Sequence, residues 1–180
     1  MSDRIIKTRR LRLEPLAPCH GPALESFARL WDVARYTATI PHPYPPGSGT
    51  AYAENVAFDR RHGGELIWAV MDRKMYQMVG SAGLDPSLDR RRFELGYMFA
   101  PWSWGRGVAS EAALALIDTA FNALDADEVF AHAVGENRAS CRVLTNAGLR
   151  RIGIGTYYAP ARDHWTRAEA YRLLRGEWSS

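Results

Sequence analysis

The sequence predicts a mixed α/β domain, one sheet covered by helices. Three stretches carry that reading. Leu66 to Met71, LIWAVM, is a continuous apolar run that suits a buried strand. Phe93 to Phe99 alternates, with Phe93, Leu95, Tyr97 and Phe99 on one side and Glu94, Gly96 and Met98 on the other. After a glycine-bearing loop, Val108 to Leu124 places Leu114, Ile117, Phe121 and Leu124 at helical spacing opposite a wet stripe of Glu111, Asp118 and Asn122.

The remaining elements follow in order. Leu11 to Glu14 reads as a first strand, Pro22 to Leu30 and Thr50 to Arg61 as helices. Between them, Pro41 to Gly49 (PHPYPPGSG) must be loop, since proline fixes its own dihedral and lacks a donor. A loop of this kind is either a wall of a binding site or a connector. Met78 to Leu84 is a strand that ends at the Asp85-Pro86 turn, and Val129 to Val134 is another. Ala139 to Asn146 is a short helix closed by Gly148 at the left-handed cap position. Leu149 to Ile154 and Ala168 to Leu174 complete the sheet. Strands with tight turns come early and strand–helix alternation comes late, hence the mixed sheet. With 180 residues and no repeat, one domain over 1–180 is expected.

Composition narrows the function classes. The hydrophobic share of 47% supports a sizeable core, but no apolar run reaches the roughly 20 residues of a membrane span. Met1-Ser2-Asp3-Arg4 has no apolar stretch behind it, so no secretory signal is expected. The two cysteines, Cys19 and Cys141, match no metal-ligand spacing and read as free thiols, which favours the cytoplasm; no metal is expected. A net charge of +3 admits an anionic ligand without marking a nucleic-acid surface. Arg90-Arg91-Arg92 reads as a solvated turn, and Arg9, Arg10 and Arg12 as solvated flanks of the first strand.

The chemistry concentrates at Met98-Phe99-Ala100-Pro101-Trp102-Ser103-Trp104-Gly105-Arg106-Gly107-Val108-Ala109. A strand runs into a glycine loop that opens a helix. Unpaired amides and the positive end of the helix dipole make such a start a site for phosphate. GxxxxGK[ST] is absent, and Ser110 replaces the third glycine of a dinucleotide fingerprint, which argues against a P-loop nucleotidase and a Rossmann dehydrogenase.

GYMFAPWSWGRGVASEA, followed by HAVGENRASCRVLTNAGLRRIG, resembles the GNAT superfamily of N-acetyltransferases, and within it the RimJ/RimL-like branch that acetylates ribosomal-protein N-termini. The superfamily motif is Arg or Gln, two residues, Gly, one residue, then Gly or Ala; here Trp104 stands in the Arg/Gln position, followed by Gly105, Arg106, Gly107, Val108 and Ala109. Asn137 to Gly148 is similar to the branch's Asn-x-x-Ser helix start and Gly-Leu exit, and TRRLRLEPL and YRLLRGEW to its two ends. The likeness is thinnest over Ile40 to Tyr52 and Thr156 to Arg167.

The resemblance implies a mostly antiparallel sheet of about seven strands, splayed between the fourth and fifth, with helices on both faces. It implies acetyl-CoA as cosubstrate. Main-chain groups of Met98, Phe99 and Ala100 would pair with the pantetheine arm, the Met98 amide would donate to the thioester carbonyl, and amides from Gly105 to Ala109 would hold the pyrophosphate. Asn137 would bond the pantetheine. Glu94, on the strand face of Met98, is the candidate base, against the plainer reading of a glutamate paired with an arginine or facing solvent. Ser140 is the candidate acid, against the plainer reading of a helix cap. His42 and His164 are weaker candidates for the amine pocket, and Cys141 has no feature of a nucleophile. The acceptor implied is a protein N-terminal amine. A small-molecule amine, or an acyl-CoA-binding protein without catalysis, are the alternatives, and monomer and homodimer stay open.

Overall fold

The computed structural model describes residues 4–178; Met1 to Asp3, part of the stretch read for a secretory signal, lie outside them. Eight strands form one sheet: β1 (Ile6–Lys7), β2 (Leu11–Pro15), β3 (Leu66–Asp72), β4 (Gln77–Pro86), β5 (Arg92–Phe99), β6 (Glu128–Val134), β7 (Arg150–Ala159) and β8 (His164–Leu174), in the order β1-β2-β3-β4-β5-β6-β8-β7. Every neighbouring pair is antiparallel except β5 and β6. The two-residue β1 raises the expected seven strands to eight and makes the splayed pair the fifth and sixth.

Helices cover both faces, as alternation along the strands requires. Leu66, Trp68 and Val70 of β3 pack with α4 (Val108–Ala123) and α5 (Arg138–Asn146). Ala69 of the same strand packs with α1 (Gly21–Ala28), α2 (Trp31–Ala34) and α3 (Ser48–Arg61) on the other face. The inner face of α4 differs by one residue from its reading: Ile117 and Phe121 are buried, but Leu116 takes the place of Leu114, which is exposed. Ala112, Ala113 and Ala120 bring this helix close to the sheet, and small residues carry little weight in a periodicity count.

The feature that makes a site is the pairing of β5 with β6. Their parallel bridges, Arg92–Glu128, Phe93–Val129 and Glu94–Phe130, stop at Glu94, and from Leu95 onward the two strands diverge. Parallel neighbours need a crossover, here α4, and its glycine-rich start sits at the open end of the splay. β7 and β8 are longer than read, a hairpin that extends through Tyr157 and Trp165 across the segment 156–167. Gly153 and Gly155 interrupt the sequence pattern there, yet the strand continues past them.

Candidate active site

Two cavities meet at the splay. The first, about 400 Å³, is lined by Tyr97, Phe99 and Ala109 and by the start of α5, including Asn137 and Ser140. The second, about 720 Å³, opens on the α1–α3 face and is lined by Tyr44, Tyr52, Ser81, Asp85 and Glu94. Tyr36, Thr37, Leu95, Gly96, Tyr97, Met98, His132 and Val134 line both. The two spaces therefore meet at one gap in the sheet, and Asp32, Val33, Tyr36 and Thr37 of the α1–α3 side also line the first.

The glycine loop is built as the sequence predicts. Gly105 and Gly107 have φ of 71° and 72°, the left-handed region where a side chain is strained. Gly107 is the N-cap of α4, so the first amides of that helix carry no intrahelical bond. Trp104 and Ala109, which bracket the loop, line the first cavity, while Gly105, Arg106 and Gly107 are exposed. The Trp104 indole donates to the Phe99 carbonyl at 2.8 Å and fixes the loop to the end of β5. That bond gives the aromatic in the Arg/Gln position a physical role.

Arg10, read as a solvated flank, is instead a brace of this loop. Its Nε donates to Glu111 at 2.6 Å, its Nη1 donates to the Arg106 carbonyl at 2.6 Å, and its Nη2 lies 3.3 Å from where a Cβ on Gly107 would sit. Burial raises the Glu111 carboxyl, but hydrogen bonds from Thr8 and Arg10 outweigh that and hold it below its ordinary range. Only the fold brings residue 10 to residue 107, so no local pattern could reveal the contact. Arg90 and Arg91 lie in the exposed β4–β5 turn and Arg92, also exposed, opens β5.

The strand β5 corrects two expectations. The Ala100 amide donates to Val79 and its carbonyl accepts from Ser103, so neither is free for a pantetheine arm. The antiparallel register with β4 is unbroken from Phe99–Gly80 to Phe93–Pro86. Main-chain groups alternate along such a ladder. With Ala100 bonded to β4, Met98 and Gly96 also turn theirs to β4, and the Met98 amide is not an oxyanion donor. The amides that face the gap belong to Tyr97 and Phe99. Met98 lines both cavities.

Glu94 is paired, with a histidine and not an arginine. His132 Nδ1 lies 2.8 Å from Glu94 Oε1, with both side chains more than a third exposed. An ionised carboxylate only accepts, so Nδ1 donates to it, and in the neutral imidazole Nε2 is then the acceptor. The pair spans the splay just past the last backbone bridge. His132 escaped the sequence reading because it sits mid-strand, 38 residues from Glu94.

At the start of α5 the roles are exchanged. Asn137 is the N-cap, and its Oδ1 accepts from the Ser140 amide at 3.1 Å. Ser140 is therefore not the cap, and its Oγ lies 2.9 Å from the Tyr97 hydroxyl. Burial pushes the Tyr97 phenol up to about 12, with the Ser140 bond opposing. His42 packs at a tilt on Trp31, and His164 opens β8 beside the Arg162 carbonyl; neither lines these two cavities. The proline loop contributes Pro41 and Tyr44 to the second cavity and is thus a wall. Cys19 and Cys141 are free thiols. Among the described residues no cluster of metal-ligating side chains occurs, and no helix is long and apolar enough to cross a membrane.

Comparison with known proteins gives the family and the fold. The profile of the acetyltransferase (GNAT) domain matches residues 10–150. An N-acetyltransferase of Bacillus subtilis, YnaD, is 32% identical over 87 residues, covering 48% of this chain and 51% of its own. YkkB of the same organism is 34% identical over 88 residues, with 48% and 51% covered. The chain thus spans about half the length of the curated relatives it matches. Among solved structures, Mycobacterium smegmatis RimJ in complex with a CoA disulfide superposes with a TM-score of 0.87 at 18% identity, covering 99% of this chain and 90% of that one. RimL, a ribosomal alpha-N-protein acetyltransferase solved with coenzyme A, gives 0.83 at 15% identity, with 95% and 98% covered.

Proposed function

The chain belongs to the acetyltransferase (GNAT) family, and from that premise we propose that it transfers acetyl from acetyl-CoA directly to a primary amine at the splay of β5 and β6. The carrying observation is that two cavities meet at this gap and share the wall that holds His132, Tyr97 and Met98. The cavity beside α4 and α5 receives the thioester, with the pyrophosphate on the Gly105–Ala109 amides, which the exposed left-handed glycines leave open. Asn137 uses Oδ1 as a cap and keeps its Nδ2 donors for the pantetheine. The cavity on the α1–α3 face receives the amine.

The chemistry then balances on this chain's own groups. An ammonium must lose a proton before it attacks. His132 Nε2 takes that proton, and Glu94 holds the imidazole in the required tautomer. The amine nitrogen bonds to the acetyl carbon, and the carbonyl oxygen gathers charge against the Tyr97 and Phe99 amides. The C–S bond breaks, the nitrogen gives up its second proton as the amide forms, and that proton reaches the CoA thiolate through the Ser140–Tyr97 hydroxyl pair. The acceptor we infer is the amine of a protein N-terminus, which the fold shared with RimJ and RimL supports, acting in the cytoplasm.

The test is release of free thiol from acetyl-CoA in the presence of primary amines, with the matching mass gain on the amine. Thiol release that depends on the amine is the expected result. Tight acetyl-CoA binding without release for any amine would make the chain a binding module instead.

A further inference from the structure

The loop that opens α4 alternates in handedness. Gly105 and Gly107 lie in the left-handed region, and Arg106 between them does not. Successive amides in a turn of this kind form a concavity that suits an anion. It serves that purpose only while the carbonyls of the same turn point elsewhere. One side chain from a distant part of the chain takes up the carbonyl in the middle. The Arg106 carbonyl accepts from Arg10 Nη1 at 2.6 Å. Arg10 Nη2 occupies the space that a Cβ on Gly107 would need.

Arg10 is itself held on two sides. Its Nε donates to Glu111 Oε2 at 2.6 Å, and its main-chain amide donates to Oε1 at 2.8 Å. The Thr8 hydroxyl also donates to Oε1. Glu111 stands in the first turn of α4, where the helix dipole favours a carboxylate. The loop is thus clamped to the start of its own helix through a residue that precedes β2. A planar guanidinium offers its donors in a fixed fork, so one edge can meet a carboxylate while another meets a carbonyl. An ammonium has no such fork.

Charge does not account for the arrangement. A cation at the start of a helix opposes the dipole. Arg10 is paired with Glu111, and Arg106 Nη2 lies 3.8 Å from Asp72 Oδ2. Two cations face two carboxylates, so what Arg10 adds to the loop is geometry.

We infer that Arg10 is a positioning residue for the pyrophosphate of the acyl donor: it holds the Arg106 carbonyl away from the anion so that the loop amides face it, and Glu111 fixes Arg10 in that pose. This rests on the cofactor reading above. Arg10 lines neither cavity at the splay. Its loss therefore weakens the grip on the phosphate-bearing half of the donor and leaves the thioester half alone.

Calorimetry of CoA with the full chain tests this in wild type, Arg10→Met, Arg10→Lys and Glu111→Gln, below the melting transition of each. CoA affinity should fall at least tenfold in both Arg10 variants and at least threefold in Glu111→Gln. A site that worked by charge alone behaves differently. Arg10→Lys would then bind as wild type, and Glu111→Gln, which removes a negative charge beside the phosphates, would bind more tightly. Either result overturns the inference. Should Arg10→Met not fold, the other two variants decide. The second readout compares acetyl-CoA with S-acetylpantetheine, which carries no phosphate. In Arg10→Lys, kcat/KM should fall at least tenfold for acetyl-CoA and stay within about threefold for S-acetylpantetheine. Equal losses for both donors would mark a general loss of structure and overturn the positioning role. A wild-type chain that binds no CoA would instead overturn the cofactor reading itself.

Discussion

His132 Nδ1 and Glu94 Oε1 lie 2.8 Å apart across the one place where the sheet opens. The bond joins β5 to β6 just beyond their last backbone bridge. It also stands where the two cavities meet.

Gly96 lines both cavities, but a Cβ there would point to the face of Glu94 and Met98, toward the second cavity, and would meet nothing within 4 Å. Gly96→Leu should therefore fold, fill the acceptor space and leave the cofactor side untouched. The expected outcome is acetyl-CoA affinity within about threefold of wild type and transfer to amines reduced at least tenfold. Isothermal calorimetry and thiol release measure the two separately. Unimpaired transfer would mean that the amine arrives by another route.

Gly107→Glu places a side chain at φ 72° and a negative charge beside the unpaired amides of α4. Acetyl-CoA affinity should fall by at least tenfold. The left-handed backbone should also cost about 1–2 kcal/mol of stability. Calorimetry at a temperature well below the melting transition isolates the binding term, and full affinity there would remove the phosphate site.

Asn137 and Ser140 should now separate cleanly. Asn137→Ala removes a helix cap, worth about 1 kcal/mol, and weakens acetyl-CoA binding. Ser140→Ala keeps the cap, so its stability loss should be smaller, while turnover falls because the thiolate loses its proton path. Melting temperature and turnover at saturating acetyl-CoA test both. A fully active Ser140→Ala protein would take Ser140 out of the reaction.

Asp85→Asn should raise the melting temperature at neutral pH. The Asp85 carboxyl is raised by burial and by Glu94, so the folded state holds its proton up to a higher pH than the unfolded chain does. In that case stability falls as pH rises from the unfolded value through the folded one. The carboxylate is destabilising above that window and neutral below it. The gain in the variant should accordingly shrink as pH drops into the acid range. A variant less stable than wild type at neutral pH would show that Asp85 has a favourable partner.

Much of this was legible in the sequence where function depends on local backbone. Gly105 and Gly107 announce a left-handed loop before a helix, and the alternation of β5 placed Glu94 and Met98 on one face correctly. What stayed hidden depends on strands far apart in sequence. The pairing of Glu94 with His132 and the brace from Arg10 both follow from register, which no single strand encodes. The Met98 amide was misread for a related reason. Side-chain alternation is visible in a sequence, but the direction of each amide depends on which neighbour forms the ladder, and β4 claims that of Met98. The segment 156–167 was opaque because glycines and turn residues interrupt a strand that tertiary pairing restores.

The most direct test of the account is turnover in Glu94→Gln, His132→Gln and the double variant, measured at saturating acetyl-CoA with an amine that the wild type accepts. If the pair takes the amine proton as a unit, each single change should lower kcat by about a hundredfold or more. The double change should then cost little beyond the worse single one, since groups that act together are not additive. Acetyl-CoA affinity should stay near wild type in all three. Wild-type turnover in His132→Gln, or fully additive losses in the double variant, would contradict the assignment of proton transfer to this pair.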